Sequence, residues 1–230
     1  MSEKEHTENY PLAYRDGEVV FYGRRFVVTK DTLRPRPETE MAIDAVKLLA
    51  GRSILSGVKP PRRKLSGTPR ILDVGTGSGC IAVTVAMELP EAEVVACDVS
   101  AEALKVAEEN AKRLGVSARV KCVKSDLLAN IEGKFDVVVA NLPYVDKSWE
   151  WLKEPDSAGL KYEPSLALYA EDGGLAVIFR LLDEMGERER FTRWLILEAD
   201  PCQHEAIVAQ AEQKGFALEE IRGYQIVLKR

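Results

Sequence analysis

Hydrophobic residues along this chain fall into two rhythms, short unbroken aliphatic runs and longer stretches in which apolar positions recur every three or four residues. From Arg70 onward the two alternate. Ile71 to Val74 predicts a strand, Cys80 to Leu89 a helix, Glu93 to Asp98 a strand and Ala101 to Leu114 a helix. Arg119 to Val123 and Phe135 to Ala140 predict two further strands. Such alternation predicts a parallel, doubly wound α/β sheet. The helix from Ala101 aligns Leu104, Ala107, Ala111 and Leu114 on one stripe and stops at Gly115, a residue suited to a helix C-terminus. Later come helix Leu175 to Glu187, strand Arg193 to Glu198 and helix Gln203 to Lys214. Two closing β runs, Phe216 to Ile221 and Tyr224 to Leu228, meet at Gly223 and predict an antiparallel edge.

Upstream, Glu18 to Tyr22 and Arg25 to Thr29 flank Gly23 and predict a hairpin. Pro35 and Pro37 then fix the backbone before a helix from Met41 to Ala50, with Thr39 or Glu38 at its start. We divide the chain into an N-terminal extension with hairpin, residues 1–34, and a main domain, residues 35–230. Two segments fit no element. Gly51 to Pro69 contains Pro60-Pro-Arg-Arg-Lys64 and reads as an exposed, mobile, basic loop. Val145 to Ala170, with prolines and aromatics, is too long for an ordinary connection and reads as a lid or substrate loop.

With 230 residues and 46% hydrophobic content, the chain can bury a full core as one domain. The balance of 32 Lys+Arg against 37 Asp+Glu leaves a charge of −5, which gives no electrostatic ground for stable nucleic-acid binding over the whole surface. The four cysteines show no C-x-x-C spacing, so buried thiols in a reducing compartment are expected rather than disulfides or a metal site. The N-terminus is polar, and no apolar run approaches the roughly 20 residues of a membrane span. These features point to a cytoplasmic protein.

The candidate chemistry sits at strand ends. Arg70-Ile-Leu-Asp-Val-Gly-Thr-Gly-Ser-Gly79 is a strand that breaks into three alternate glycines before a helix. Glycine serves where the backbone takes positive φ or a ligand approaches closely, and the mouth of a βα turn is where parallel sheets bind ligands. The spacing G-x-G-x-G differs from the G-x-G-x-x-G that seats a pyrophosphate, and suits a nucleoside without phosphates. The next strand ends in Asp98, roughly twenty residues after Gly79, an acceptor suited to ribose hydroxyls. Ser100 is the better cap for the helix that follows. Finally, Phe135-Asp-Val-Val-Val-Ala-Asn-Leu-Pro-Tyr144 is an apolar strand that stops at an amide, a proline and a ring. Taken alone, Asn and Pro after a strand often make only a turn.

Together with Pro11-Leu-Ala-Tyr14, Arg34-Pro-Arg-Pro-Glu-Thr-Glu40, Tyr162-Glu-Pro-Ser-Leu-Ala-Leu168 and Glu171-Asp-Gly-Gly174, these motifs make the chain resemble the release factor glutamine N5-methyltransferases of the HemK or PrmC type. The resemblance implies a class I S-adenosylmethionine methyltransferase, with a Rossmann-like, seven-stranded, mostly parallel sheet. It implies S-adenosyl-L-methionine as cofactor, with Gly75, Thr76, Gly77, Ser78 and Gly79 along its methionine and ribose side, Asp98 on the ribose hydroxyls, and Asp126 with Leu127 flanking the adenine. Asn141, Leu142, Pro143 and Tyr144 are the implied catalytic residues, with Asn141 also beside the cofactor. The implied partner is a peptide chain release factor, methylated on the Gln of its Gly-Gly-Gln motif. Two departures stand out. The chain begins where the family's N-terminal helical docking domain ends, and Leu142 replaces the usual proline of the second motif, although it carries the same backbone carbonyl.

The residues themselves suggest how such a site works. An amide nitrogen is a weak nucleophile because its lone pair is conjugated, so the site has to accept its N–H bonds and aim the remaining electron density. Asn141 Oδ1 and the Leu142 carbonyl are two such acceptors, and Tyr144 can stack on the planar amide. The same cradle suits an exocyclic amine of RNA or DNA, or a ribosomal-protein glutamine. A cofactor-binding protein without catalysis is a third reading.

Overall fold

The computed structural model describes residues 10–52, 65, 67–188 and 191–230. Strand β1 (Glu18–Phe21) pairs antiparallel with β2 (Arg24–Val27). Their two-residue turn, Tyr22-Gly23, has φ of 49° and 73°, the doubly positive geometry that matches strand twist in tight hairpins. The turn lies one residue earlier than the sequence pattern suggests, because Tyr22 leaves the strand to bind elsewhere and Arg24 joins β2. Its N–H donates to Glu40 Oε1 and its Oη to Asp44 Oδ1, pinning the hairpin to helix α2 (Glu40–Leu49). A short helix, α1 (Leu12–Asp16), precedes the hairpin without a periodic signal long enough to betray it.

Seven strands form the central sheet: β3 (Arg70–Val74), β4 (Glu93–Asp98), β5 (Val120–Lys124), β6 (Phe135–Ala140), β7 (Thr192–Glu198), β8 (Ala217–Arg222) and β9 (Gln225–Lys229), in spatial order β5-β4-β3-β6-β7-β9-β8. The first five in that order run parallel, while β9 is antiparallel to both β7 and β8. The expected antiparallel edge is therefore present, with the last strand inserted between β7 and β8.

Alternate residues of each strand face opposite layers. On one face Ile71, Val94, Val137, Val139 and Ile196 pack with α2, with α3 (Cys80–Glu88), and with Phe21 and Phe26 of the hairpin. On the other face Leu72, Val138, Leu195 and Leu228 pack with α6 (Ala176–Gly186) and α7 (His204–Gln213). Helix α4 (Ala101–Arg113) buries Leu104, Ala107 and Ala111, and the Ser100 hydroxyl caps it by accepting from the Ala103 N–H. Asn110 on this helix is fully buried and bridges two segments: its Nδ2 donates to the Val27 and Ser78 carbonyls, and its Oδ1 accepts from the Val27 N–H.

The segment 145–170 is ordered into two 3-10 turns, Glu150–Lys153 and Pro155–Tyr162, and the four-residue helix α5 (Ser165–Leu168). A parallel bridge between Val145 and Tyr169 closes it at the base. The basic run Arg62-Arg-Lys64 lies outside the described residues. All four cysteines are free, with Cys80 and Cys97 buried, Cys122 half-buried and Cys202 exposed. Among the described residues no helix is long and apolar enough to cross a membrane, and no cluster of side chains could hold a metal ion.

Candidate active site

Strand register sets the site. Val74 is level with Cys97 on β4 and with Ala140 on β6, and Ala140 is level with Leu197 on β7. The next residue of each strand therefore falls into one row across the carboxyl ends: Asp98, Gly75, Asn141 and Glu198. Parallel sheets bind ligands at this end, where the chain leaves the sheet and its backbone groups lose their ladder partners.

Two cavities meet at this row. The first, about 440 Å³, is lined by Gly75, Thr76, Gly77, Ser78, Asp98, Asp126, Leu127, Asn141, Leu142 and Pro143, and is roofed by residues 31–36 and 164–169. The second, about 430 Å³, is lined by Tyr144, Trp149, Trp151, Tyr224, Glu38 and Asp200. Leu33, Arg36, Asn141, Leu142 and Ala167 belong to both linings, and of these Asn141 and Leu142 come from the end of the sheet and form its part of the partition between the chambers.

The three alternate glycines do three different jobs. All have positive φ, at 72°, 55° and 78°. A Cβ on Gly75 would meet Leu142 Cδ2 at 2.9 Å, so this glycine makes room for the partition. A Cβ on Gly77 would meet nothing within 4 Å, so its open face is left to the first cavity, while its N–H donates to Asp98 Oδ2 at 2.9 Å. Gly79 is not part of the lining; a Cβ there would sit 3.0 Å from Ala107, so it lets α3 and α4 approach.

Asp98 also accepts from the Ser100 N–H at 2.9 Å, and burial raises its pKa. Asp126 is exposed at the mouth and pairs with Arg180 at 2.7 Å. Leu127 beside it has a φ of 44°, an uncommon conformation for leucine, and the Leu128 N–H is tied to Glu184 Oε2. Asp73 lies beneath the glycine loop, accepting from the Thr76 hydroxyl and the Ala82 N–H on one oxygen, while Oδ1 is buried without a partner among the described residues. Burial pushes its pKa up to about 7. The folded state then binds a proton that the unfolded state has released between about pH 4 and 7, so Asp73 subtracts about 1.4 kcal/mol of stability per pH unit of rise across that window. Thermal melts of Asp73→Asn are expected to show a flatter decline over the window than the parent; equal slopes would refute the assignment.

On the partition, Asn141 Nδ2 donates to Glu198 Oε1 at 2.9 Å and to Thr39 Oγ1 at 3.1 Å, which leaves Oδ1 as the group available to accept. Leu142 is buried, and its side chain packs against the glycine loop, so it contributes a wall as well as a carbonyl. Tyr144 lines only the second cavity, and its carbonyl accepts from Gln203 Nε2 at 2.8 Å. Burial and the nearby Glu198 charge raise the pKa of its phenol and keep it neutral. The roof is tied down by Arg36, whose Nη2 donates to both oxygens of the fully buried Glu163 carboxylate at 2.8 and 2.9 Å. The Arg-Pro-Arg-Pro and Tyr-Glu-Pro motifs are thereby one structural unit, joined further by Tyr14, whose Oη donates to the Thr32 carbonyl.

Glu198, Gln203 and Gln225 do not stand out in the linear pattern, and Thr39 and Glu163 lie within motifs quoted above but with no role in the site assigned to them. A signal for Glu198 existed: its strand, like that of Asn141, is an apolar run that ends abruptly in a polar residue.

Residues 59–152 match the methyltransferase small domain family model. The release factor glutamine methyltransferase of Chlorobaculum tepidum is 43% identical over 177 residues, covering 74% of this chain and 56% of that protein. That of Koribacter versatilis is 39% identical over 203 residues, covering 83% and 65%. The chain thus spans between about half and two thirds of the length of these relatives. Among solved structures, the human METTL16 N-terminal domain in complex with SAH superposes with a TM-score of 0.60 at 18% identity, covering 94% of this chain and 77% of that one. Such a likeness speaks for the fold: the chain has the seven-stranded sheet of class I methyltransferases, and over most of its length it is similar in sequence to release factor glutamine methyltransferases.

Proposed function

We propose that this protein transfers a methyl group from S-adenosyl-L-methionine to the side-chain amide nitrogen, N5, of the glutamine in the Gly-Gly-Gln motif of a peptide chain release factor. The observation that carries this reading is the partition: one amide-bearing wall, Asn141-Leu142, serves two chambers of similar size. The donor chamber fits the cofactor. Gly77 leaves open space, Asp98 presents a fixed carboxylate for ribose hydroxyls, and Leu127 with Asp126 offers a flank for the adenine. Bound there, the cofactor supplies an electrophilic sulfonium methyl.

Everything else is done by the chain. Asn141 Oδ1 and the Leu142 carbonyl accept the N–H bonds of the incoming amide and hold its nitrogen at the partition. Tyr144 covers the amide plane, and Trp149 and Trp151 line the outer side. Such preorganised acceptors cost no reorganisation at the moment of reaction. No side chain is needed as base, because the proton released after transfer is acidic and passes to water. The carboxylates of Glu38, Glu198 and Asp200 around the acceptor chamber favour a protein acceptor over a phosphate-bearing one.

Mass spectrometry of a folded release factor incubated with labelled donor is expected to show one methyl on the Gly-Gly-Gln glutamine and none on a Gln→Ala version. Methyl appearing on RNA alone would overturn the proposal. Calorimetry is expected to show saturable binding of S-adenosyl-L-methionine, weakened about 10- to 100-fold in Asp98→Ala, the effect of losing hydrogen bonds to a charged acceptor. Unchanged affinity in that variant would remove Asp98 from the donor site.

A further inference from the structure

The two ends of an asparagine amide have nearly the same shape and opposite hydrogen-bonding character. At position 141 only one orientation suits an acceptor that arrives donating N–H, so something in the fold has to choose. Thr39 does not choose by itself, because its hydroxyl can donate or accept and is itself hydrogen-bonded to Glu198. Glu198 can. Its Oε1 accepts from Asn141 Nδ2 and its Oε2 from Gln225 Nε2, both at 2.9 Å, and Thr39 bonds to it as well; burial raises its pKa, these three hydrogen bonds oppose the rise, and the ionised carboxylate accepts only. The side chain is 2% exposed and has no ion-pair partner among the described residues. A buried carboxylate without a cation is costly, and a glutamine of equal shape would avoid most of that cost.

We propose that Glu198 is a positioning residue that fixes the Asn141 amide with Nδ2 inward and Oδ1 toward the acceptor chamber, so that the site recognises a group donating N–H. The identity of the acceptor rests on the function proposed above; the orientation of Asn141 does not.

Glu198→Gln tests this without changing shape. The new amide nitrogen has to find an acceptor at Asn141, at Gln225 or at the Thr39 hydroxyl, and a Thr39 that accepts from it turns its own O–H toward Asn141, which again favours the turned amide. Turning Gln225 would place its NH2 where its Oε1 now lies buried without a partner among the described residues, whereas turning Asn141 places NH2 in an open cavity. Asn141 is therefore the residue that flips, presenting a donor where an acceptor is required. Turnover of the release factor is expected to fall about 10²-fold, as when one preorganised contact is lost. In an Asn141→Ala background the same change is expected to cost almost nothing more, because residues that act through one another are not additive.

A second readout needs neither donor nor acceptor. The side-chain 1H–15N resonances of Asn141 in the protein alone are expected to move upfield and lose exchange protection in Glu198→Gln, with Thr39→Val producing a smaller change. Additive losses in the double variant, which a direct role of Glu198 as base would give, overturn the proposal. So do Asn141 resonances indifferent to Glu198. If the parent protein methylates no release factor, the function proposed above fails, and the resonances alone decide the role of Glu198.

Discussion

Asn141→Ala is expected to lower methyl transfer by about 10² to 10³ while leaving the fold intact. The truncation removes Oδ1, the acceptor fixed toward the second chamber, and loss of one such preorganised contact typically has this effect. It also frees Glu198 Oε1, which water can reach once the side chain is gone, so destabilisation stays modest. Because Asn141 lines the donor chamber as well, donor affinity has to be measured beside kcat to assign the loss. Full activity with the donor bound would show that the partition does not hold the acceptor amide.

Gly174→Ala is expected to be the most damaging glycine-to-alanine substitution among the described residues. Its φ is +85°, and a Cβ there would lie 2.0 Å from the Tyr144 carbonyl oxygen and 2.5 Å from Gln203 Nε2. Backbone and clamp have to move apart, breaking the hydrogen bond that holds the end of the Asn-Leu-Pro-Tyr segment. A loss of about 4 kcal/mol or more is expected, beyond the usual range for one substitution and a large part of the stability of an ordinary domain. Gly173 supplies the control. It has a φ of +68° and nothing within 4 Å of a Cβ, so Gly173→Ala carries only the left-handed strain of about 1 to 2 kcal/mol. Chemical denaturation of the two variants compares crowding with strain directly; equal losses would mean that the clamp yields freely.

The sheet was legible in the sequence because strand and helix rhythms alternate there and because both faces of the central strands are buried. The short elements were not. Helix α1, the 3-10 turns and α5 are too brief to show a period, and they are held by contacts from elsewhere, such as Arg36 to Glu163 across 127 positions of sequence. Within the site, the residues with unusual local patterns were visible: alternate glycines, Asp98, and Asn141 to Tyr144. The residues that hold them were hidden. Glu198 and Gln225 become neighbours only through the β7–β9 register, and Thr39 reaches Asn141 only because α2 packs over that end of the sheet. The glycines show a limit of another kind, since spacing alone could not tell that Gly75 accommodates Leu142, Gly79 accommodates a helix, and Gly77 alone faces open space.

The insertion of β9 between β7 and β8 bears on how the protein is made. A ribosome delivers β8 before β9, yet β8 has no place in the sheet until β9 has docked against β7. Gln225, the first residue of β9, is also the partner of Glu198 Oε2. The nascent chain therefore emerges with its glycine loop and Asn-Leu-Pro-Tyr segment complete in sequence but with one oxygen of the acid behind them still lacking its partner. The hydrogen bond that completes the setting of Glu198 forms only when β9 has docked, so the order of synthesis places the assembly of the sheet edge before the final positioning of this acid.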